Sequence, residues 1–333
     1  MRKIFFISII LLSFYSCNKN VRKTDLNENE IVKIKINRFD SALILLDTTR
    51  LDVSIKELSS QFPDFKNIFF SDILDFNPVD SIGIQKAIKT YLSDTAFSKV
   101  NKDVVLQFRN NEDIESEISD AFSVFFHYYP QKKLPKIYFF VSGFNRSIYF
   151  NENIIAVGVD MYLGNNYPKY QEITYKYLTY TMQRKFVSVD VVSTLLFSNF
   201  PFDGKKDRLL DHMLYRAKVL YFLSELMNER EKTDILGYTP EQWQWCEKYE
   251  KNIWASMVEN KDLFSTDMQL IGKYLNDAPF TEPVAQESPG RLGAWVGLRI
   301  IDAFMKNNPK VTIPELMQLN DYQYLLQESD YKP

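Results

Sequence analysis

Chemistry in this chain of 333 residues would have to come from unusually few histidine and cysteine side chains. The histidines are His127 and His212, 85 positions apart, and the cysteines are Cys17 and Cys246. The sequence contains no His-Glu-x-x-His segment, nucleophile elbow or phosphate-binding loop. Because a catalytic zinc site normally needs three protein ligands, we interpret each histidine first as a packed or hydrogen-bonded helical residue. A single metal ligand or a general base is the competing interpretation.

Five residues are candidates for lining a cleft. Asp160 and Tyr162 follow a predicted strand, where an acid and a phenol could face a ligand, although Asp160 could equally cap a helix beside a packed Tyr162. Asp211 and His212 are adjacent in a predicted long helix, and Arg291 lies in a glycine-rich segment. With 43 acidic residues in the chain, a pair of carboxylates says little about glycosidase chemistry. The residues therefore predict no catalytic set and no metal site.

Three of the ten glycines, Gly290, Gly293 and Gly297, fall in a segment that we predict to be one helix over 288–306. Spacings of three and four place them on one face. Glycine inside a helix costs about 1 kcal/mol relative to alanine, so something must compensate. We expect close packing of another backbone or a bulky ring against this face.

The first residues have the layout of a bacterial lipoprotein signal. A basic start and an apolar run of about a dozen residues precede Ser16 and Cys17. A membrane-spanning helix needs ~20 apolar residues, so this run is short. We predict a signal peptide over 1–16 that is cleaved before Cys17, with covalent lipid on that cysteine as the only cofactor. A plain signal peptide with an incidental cysteine is the alternative.

Residues 17–30 are polar and charged and predict a lipidated tether, followed by a single domain over 31–333. The net charge of −3 gives no basic excess for nucleic acid. Cys246 lies in a helical pattern without a histidine nearby and is expected to be a buried small hydrophobe rather than a catalytic thiol. Abundant Phe and Tyr and scarce Gly favour a well-filled, mostly helical core.

The periodicity predicts an α+β fold that is predominantly α-helical. We expect a short strand over 31–37. Three further strands, over 136–142, 147–150 and 154–159, are expected to form a small antiparallel meander. The first predicted helix starts at 41. Further helices are predicted over 55–62, 80–97, 112–129, 209–230 and 288–306, with one more capped by Thr239 and a last one capped by Thr312.

Several motifs resemble one family. They are 157–164 (VGVDMYLG), 209–213 (LLDHM), 237–242 (GYTPEQ) and 289–297 (PGRLGAWVG), together with the lipid-cysteine start. These segments resemble the gliding motility lipoprotein GldB family of Bacteroidetes over essentially the whole chain. That family is itself similar to predicted zinc peptidases with a zincin-like helical fold, and the resemblance implies such a fold here. The stretch 187–200, which corresponds to the peptidase zinc motif, contains no histidine, so the resemblance implies a frame without the metal.

The resemblance implies a non-catalytic envelope lipoprotein that is required for gliding motility and binds other gliding-machinery proteins, with no nucleic acid partner. The alternative is a zincin-derived hydrolase with a non-standard site around Asp160, Asp211 and His212. A weaker third possibility is a lipoprotein that binds a ligand in an aromatic pocket. The resemblance also implies that an acidic cluster just after the lipidated cysteine accompanies export to the cell surface. None follows Cys17, which favours a periplasm-facing protein and leaves inner and outer membrane open.

Overall fold

A computed structural model describes residues 21–76 and 81–333. The predicted signal peptide and Cys17 lie outside these residues. The fold is α+β and 61% helical, as predicted. Among the described residues, no helix combines the length and apolar character needed to cross a membrane.

Short helices and strands follow one another closely along the chain. In sequence order they are β1 (Ile36–Arg38), α1 (Phe39–Ile44), α2 (Leu51–Gln61), α3 (Lys66–Ile68), α4 (Ser81–Ser93), α5 (Thr95–Gln107), α6 (Glu112–Tyr128), β2 (Lys136–Phe140), β3 (Ile148–Asn151), β4 (Ile154–Gly158), α7 (Tyr170–Ile173), α8 (Val187–Asn199), α9 (Leu209–Leu226), α10 (Lys232–Leu236), α11 (Pro240–Glu259), α12 (Met268–Leu275), α13 (Leu292–Asn307), α14 (Ile313–Gln318) and α15 (Tyr322–Ser329).

The sheet has four strands in the order β1-β2-β4-β3. Strand β2 runs parallel to both β1 and β4, and only the β3–β4 pair is antiparallel. The predicted antiparallel meander is therefore wrong, because β4 pairs with β2 and moves β3 to the edge. A turn was predicted at residues 151–153; the β3–β4 hairpin is closed by Glu152 and Asn153, and Asn151 belongs to β3.

The central strands β2 and β4 are buried on both faces, and this explains why they are apolar without alternation. Ile137 and Phe139 of β2 join a large helical core, whereas Tyr138 and Phe140 join a second core formed with the N-terminal helices. In β4, Val157 belongs to the first core. The uninterrupted apolar runs were thus a signal of a sheet covered on two sides.

Helices α6, α9, α11 and α13 of the large core were predicted, and some helix ends follow from local capping. Helix α11 begins after Thr239, whose hydroxyl accepts a hydrogen bond from the Gln242 amide while the Gln242 side chain accepts one from the Thr239 amide. Helix α14 has the same reciprocal box between Thr312 and Glu315. The predicted helix 80–97 is instead two helices, α4 and α5, of which α5 was missed.

Helices α9 and α13 pack against each other at the centre of the large core, and α9 also contacts α6, α8, α12 and α15. Glycines bring the two backbones together: a Cβ on Gly297 would lie 2.7 Å from the Met213 carbonyl oxygen, and one on Gly293 would lie 3.2 Å from Met213 Cγ. The expected close packing of another backbone is confirmed. Gly290 precedes the helix, which starts at Leu292 rather than at 288.

The N-terminal segment lies along helix α6. The backbone amides of Val32, Ile34 and Ile36 donate hydrogen bonds to Ser123, Ser119 and Glu115 at 2.8, 2.9 and 2.9 Å. Alternate residues of an extended chain thus meet side chains one helical turn apart. This explains the alternation over 31–37, of which only Ile36 and Asn37 belong to a strand.

Residues 21–30, the described part of the predicted tether, also contact α6. The Val21 amide donates to the Tyr128 hydroxyl at 2.9 Å, and Lys23 forms an ion pair with Asp120 at 2.5 Å. Glu30 lies 2.6 Å from Nδ1 of His127. His127 is therefore a partly exposed helical residue paired with a carboxylate, as its first interpretation expected.

Candidate functional site

A cleft of about 430 Å³ opens between helices α8, α9 and α13 and the loops that precede α8 and α11. Its size falls within the range of ligand-binding pockets. Apolar side chains from α8, α9 and the turn before α8 form part of its wall: Phe186, Val189, Phe197 and Leu220. Charged side chains converge on it from several segments: Asp190, Arg216, Asp234, Asp277 and Arg291.

Arg291 is held in the cleft by an unusual backbone. Its φ is +60°, in the left-handed region that residues other than glycine rarely occupy, and it immediately precedes helix α13. Its guanidinium lies 5.5 Å from the centre of the Tyr238 ring, donates to the Gly237 carbonyl at 3.3 Å and pairs with Asp277 at 3.1 Å.

Gly237 is itself left-handed, with φ +69°, and a Cβ there would lie 3.3 Å from the Arg291 guanidinium. A glycine at this position therefore combines the turn with the close approach of the arginine. The Tyr238 hydroxyl donates to the Gly290 carbonyl. The motifs 237–242 and 289–297, far apart in sequence, thus meet at one wall of the cleft.

Arg216, on α9, is the second arginine of the cleft. One of its guanidinium nitrogens donates to the Leu275 carbonyl. Among the residues that the structure describes, no carboxylate forms an ion pair with it within 4.0 Å. Burial, and then the neighbouring positive charge of Arg291, lower the pKa of Arg216. Two like charges therefore converge on one cleft, and only one of them is directly paired.

Asp190, on α8, lines the same cleft. Its Oδ2 accepts a hydrogen bond of 2.6 Å from the hydroxyl of Tyr162, which is 2% exposed. Burial raises the pKa of Asp190 to about 6, although the Tyr162 hydrogen bond and the charge of Arg291 act in the opposite direction. A carboxyl with a perturbed pKa in a cleft marks a candidate functional site, because structural residues are less often perturbed in this way.

The other two acids of the cleft are neutralised. Asp234 pairs with Lys185 at 2.6 Å and with Arg230 at 3.5 Å. Asp277 is bound by Arg291. Because this ion pair also neutralises Arg291, the charged groups of the cleft without an ion pair among the described residues are Arg216 and Asp190.

Two tyrosines form a lip beside the cleft. The rings of Tyr175 and Tyr177 are stacked, with centroids 5.7 Å apart and an interplanar angle of 10°, and Tyr175 is 71% exposed. Tyr177 lines both the cleft and a shallow depression next to it, which Tyr180 and Pro279 also line. The cleft thus continues onto an aromatic surface.

The structure separates the five candidate residues. Arg291 lines the cleft, and Tyr162 reaches it only through Asp190. The buried carboxylate of Asp160 accepts hydrogen bonds from the backbone amides of Ser142 and Phe144, at 3.3 and 2.6 Å. Asp160 therefore fixes the loop after β2 instead of capping its own helical turn.

Asp211 and His212 also have structural partners. Asp211, which is 2% exposed, pairs with Arg208 at 2.7 Å at the start of α9. His212 lies 2.7 Å from Asp207 and stacks on Phe202 with ring centroids 4.1 Å apart. Neither residue lines the cleft, and neither shares a partner with Asp160.

The cleft does not fit the zinc ion that a peptidase relationship implies. Zinc is held by histidine, cysteinate or free carboxylate ligands. Here two of the three aspartates are bound by cations, two arginines lie beside the third, and no histidine lines the wall. Over residues 21–76 and 81–333, no group of three His, Cys, Asp or Glu side chains is placed to hold a metal ion.

Sequence reasoning missed Asp190, Arg216 and Asp277. Each is an ordinary charged residue in a helix or loop, and no local motif marks it. One signal was available for Asp190, because it is the only charged residue in the stretch 187–200. A charged side chain inside an apolar stretch is seldom fully buried unless it has a partner.

Comparison with known proteins identifies a family. No curated protein and no solved structure gave a significant match, so the zincin-like fold stays a prediction. A family model described as "Gliding motility protein GldB" matches residues 19–333. The four sequence motifs gather around α9, α13 and the cleft. Because the match covers nearly the whole sequence, the chain belongs to the gliding motility protein GldB family.

Proposed function

We propose that this protein is a non-catalytic lipoprotein of the cell envelope, which serves gliding motility by binding a partner protein in the cleft between α8, α9 and α13. Membership of the GldB family implies involvement in gliding motility and association with the gliding machinery. The binding role and its location are our inference. The observation that carries it is the convergence of Arg216 and Arg291 on one cleft, whose wall combines apolar and charged side chains.

The make-up of this surface supports recognition of a protein. Arginine and tyrosine are enriched where proteins bind one another, and they supply much of the binding energy. The cleft offers two arginines, and the lip offers the stacked pair Tyr175 and Tyr177. A large exposed tyrosine such as Tyr175 contributes little to folding but can contribute strongly to an interface.

The backbone of Arg291 gives independent support. A left-handed conformation costs a residue other than glycine roughly 1–2 kcal/mol. Such strain persists where the surroundings enforce it, and it is concentrated at binding and catalytic sites. Glycine would fit this turn without strain, so the presence of an arginine points to a use for its guanidinium in the cleft.

The lipid anchor completes the proposal. We propose that lipid on Cys17 holds the domain at a membrane with the cleft facing the periplasm. Cys17→Ser should move the protein from the membrane fraction to the soluble fraction and abolish metabolic labelling with palmitate. Cys246→Ser, which changes a buried cysteine, is the matched control and should leave both unchanged. Membrane retention of Cys17→Ser would contradict the anchor.

Gliding itself tests the binding role. Deletion of the gene should abolish surface spreading, and the wild-type gene should restore it. A variant that combines Arg291→Gln with Tyr175→Ala should accumulate at the membrane but fail to restore spreading, because it removes an arginine and an aromatic ring from one binding surface. Arg50→Gln, at an exposed arginine paired with Asp47, is the control. Normal spreading with the double variant would remove the cleft from consideration.

The alternative function is a hydrolase with a site around Asp160, Asp211 and His212. Asp160 accepts hydrogen bonds from backbone amides, and Asp211 pairs with Arg208. These partners favour structural roles for both acids. The test is the metal content of the purified protein, together with complementation by Asp211→Ala and His212→Ala. Bound zinc at one ion per chain, with loss of gliding in both variants at normal protein level, would favour the hydrolase.

A further inference from the structure

We propose that the loop of residues 129–135, between α6 and β2, rests on an anionic membrane surface, with Lys132 and Lys133 at the lipid phosphates and Leu134 in the apolar layer beneath them. This inference rests on the lipid anchor of the proposed function and goes beyond it, because it names a protein surface that meets the bilayer. Lipid on one residue holds a domain at a membrane, whereas a second contact fixes which face of the domain points toward it. We call this segment the α6–β2 loop.

The position of the anchor selects this end of the domain. The Val21 amide donates a hydrogen bond to the hydroxyl of Tyr128, the last residue of α6, and Cys17 lies only four residues earlier in the chain. Four residues span at most about 14 Å, so lipid on Cys17 brings the bilayer within that distance of Val21. The α6–β2 loop leaves the helix directly after Tyr128, so it lies at the same end of the domain.

The composition of the α6–β2 loop suits contact with lipid. Lys132, Lys133 and Leu134 are consecutive and exposed, and the loop contains no acidic residue. Basic side chains near an anionic leaflet are attracted to its headgroups, and each strengthens binding about fivefold. An apolar side chain beside them can enter the boundary between headgroups and acyl chains. The loop therefore combines both kinds of contact in three consecutive positions.

A second exposed apolar side chain lies close to the loop. The turn between β3 and β4 brings Glu152 to 3.9 Å from Lys133, and the exposed Phe150 lies two residues earlier in β3. The parallel register of β2 with β4 places Lys136 beside Ile154, so the loop and the turn meet at one end of the sheet. Lys133 thus lies between two segments that each expose a large apolar residue.

The two lysines are available to lipid phosphates. Within residues 21–76 and 81–333, Lys132 forms no ion pair. Lys133 has its only ion pair in these ranges with Glu152, and both side chains are largely exposed. An exposed ion pair of 3.9 Å contributes little free energy, so a lipid phosphate can replace the carboxylate.

Carboxylates near the end of α6 restrict where an anionic surface is attracted. Burial raises the pKa of Tyr128, and the negative charges of Glu225 and Asp25 act in the same direction, so both acids face this part of the helix. Acids repel an anionic leaflet. The attraction therefore has to come from the basic segments, which are the α6–β2 loop and residues 19–23 of the tether.

Fluorescence quenching tests the proposal. Mature protein with lipid on Cys17 is reconstituted into vesicles of equal parts phosphatidylcholine and phosphatidylglycerol, which also contain a lipid with a nitroxide on its headgroup. Leu134→Cys carries a bimane label, and Cys246 does not compete for it because it is fully buried. The label should be quenched at least twofold more than the same label on Leu106→Cys.

Leu106 is the matched control. It is an exposed leucine near the end of α5, and it lines a depression together with Glu112, the first residue of α6. Glu112 and Tyr128 are about 24 Å apart along the helix axis. A label on residue 106 thus samples the opposite end of α6 from the anchor.

Two further comparisons test the role of charge. Lys132→Gln/Lys133→Gln should lower the quenching of the label at residue 134 at least twofold. Replacement of phosphatidylglycerol by phosphatidylcholine should do the same when both lysines are present. Lys35→Gln/Lys102→Gln is the matched control, because it removes two exposed lysines near Leu106, and it should leave the quenching unchanged.

Two results would overturn the proposal. One is equal quenching of the labels at residues 134 and 106, which would mean that the loop does not reach the bilayer. The other is quenching at residue 134 that depends on neither phosphatidylglycerol nor the two lysines, which would assign it to the tether alone. The comparison of lipids uses one protein, so a folding defect in a variant does not affect it.

Fractionation separates this inference from the proposed function. If Cys17→Ser leaves the membrane fraction while the labels at residues 134 and 106 are quenched equally in the lipidated protein, the anchor stands and only the surface contact fails. If Cys17→Ser stays in the membrane fraction, the anchor fails, and the surface contact fails with it.

Discussion

Gly297 and Met213 bring helices α13 and α9 into backbone contact, since a Cβ on the glycine would lie only 2.7 Å from the methionine carbonyl oxygen. A clash with backbone cannot be relieved by a side-chain rotation. The approach therefore fixes how closely the two central helices pack, and with it the positions of Arg216 on α9 and Arg291 before α13.

Gly297→Ala should destabilise the protein by about 1–3 kcal/mol, the range of overpacked cores, less a gain of about 1 kcal/mol in helix propensity. Urea denaturation followed by circular dichroism measures it. Gly272→Ala in α12 is the control, because its new Cβ would meet only the flexible side chain of Asn276, at 3.1 Å. That variant should be neutral or more stable. Equal effects at the two positions would contradict the packing argument.

Asp190→Asn should become more stable relative to the wild type as pH rises. Burial raises the pKa of Asp190 to about 6, whereas an aspartate in an unfolded chain titrates near 3.9. Between about pH 4 and pH 6 the folded wild type therefore binds more protons than the unfolded chain, and its stability falls with rising pH. Asparagine does not titrate and can still accept the Tyr162 hydrogen bond.

The measurement is the free energy of unfolding of both proteins at pH 4, 5, 6 and 7. The difference between Asp190→Asn and wild type should grow in favour of the variant up to about pH 7. A constant difference would mean that Asp190 titrates normally and is not desolvated in the cleft.

Lys218 predicts the opposite dependence at alkaline pH. Its side chain is almost completely buried, and its ammonium donates to the carbonyls of Met317 and Leu319 and lies 5.1 Å from the centre of the Tyr322 ring. Burial lowers its pKa to about 8, whereas an unfolded lysine titrates near 10.4. Between these values the unfolded chain binds more protons, so rising pH stabilises the wild type.

Lys218→Met cannot titrate at this position. The stability of the wild type should therefore improve relative to Lys218→Met between pH 8 and pH 10, as measured by urea denaturation at fixed ionic strength. A difference that does not change over this range would show that the lysine keeps its ordinary pKa. The tyrosines shared by both proteins cancel in the comparison.

Cys246 should resist thiol reagents in the folded protein. It is fully buried on α11, and burial raises the pKa of its thiol. Because the thiolate is the reactive form, Ellman's reagent should modify Cys246 only on the timescale of unfolding. Reaction of the folded protein within seconds would reopen the catalytic-thiol interpretation.

Local sequence signals were sufficient for much of the helical framework. The apolar spacing of α6, the Thr239 box of α11 and the glycines of α13 each depend on residues within one or two turns. The sheet failed for a different reason: strands β2 and β4 are parallel neighbours separated by β3, and nothing local distinguishes that pairing from a meander.

The site was predicted only where a motif marked it. Arg291 lay in a glycine-rich segment, whereas Arg216 and Asp190 gained their importance from a cleft formed by segments about 100 residues apart. Convergence of this kind is a property of tertiary packing. Asp160 illustrates the converse, because its position after a strand indicated a cleft, whereas its partners turned out to be backbone amides of a neighbouring loop.

The docking of the N-terminal segment on helix α6 has a consequence for the distance to the membrane. The Val21 amide already contacts Tyr128, and only four peptide units separate Val21 from Cys17. Four residues span at most about 14 Å. With lipid on Cys17, the end of α6 that bears Tyr128 would stay at the headgroup surface. The domain could therefore not move far from the membrane. Partner proteins would then have to come to the domain along the bilayer, because the domain could not extend away from the membrane to contact them.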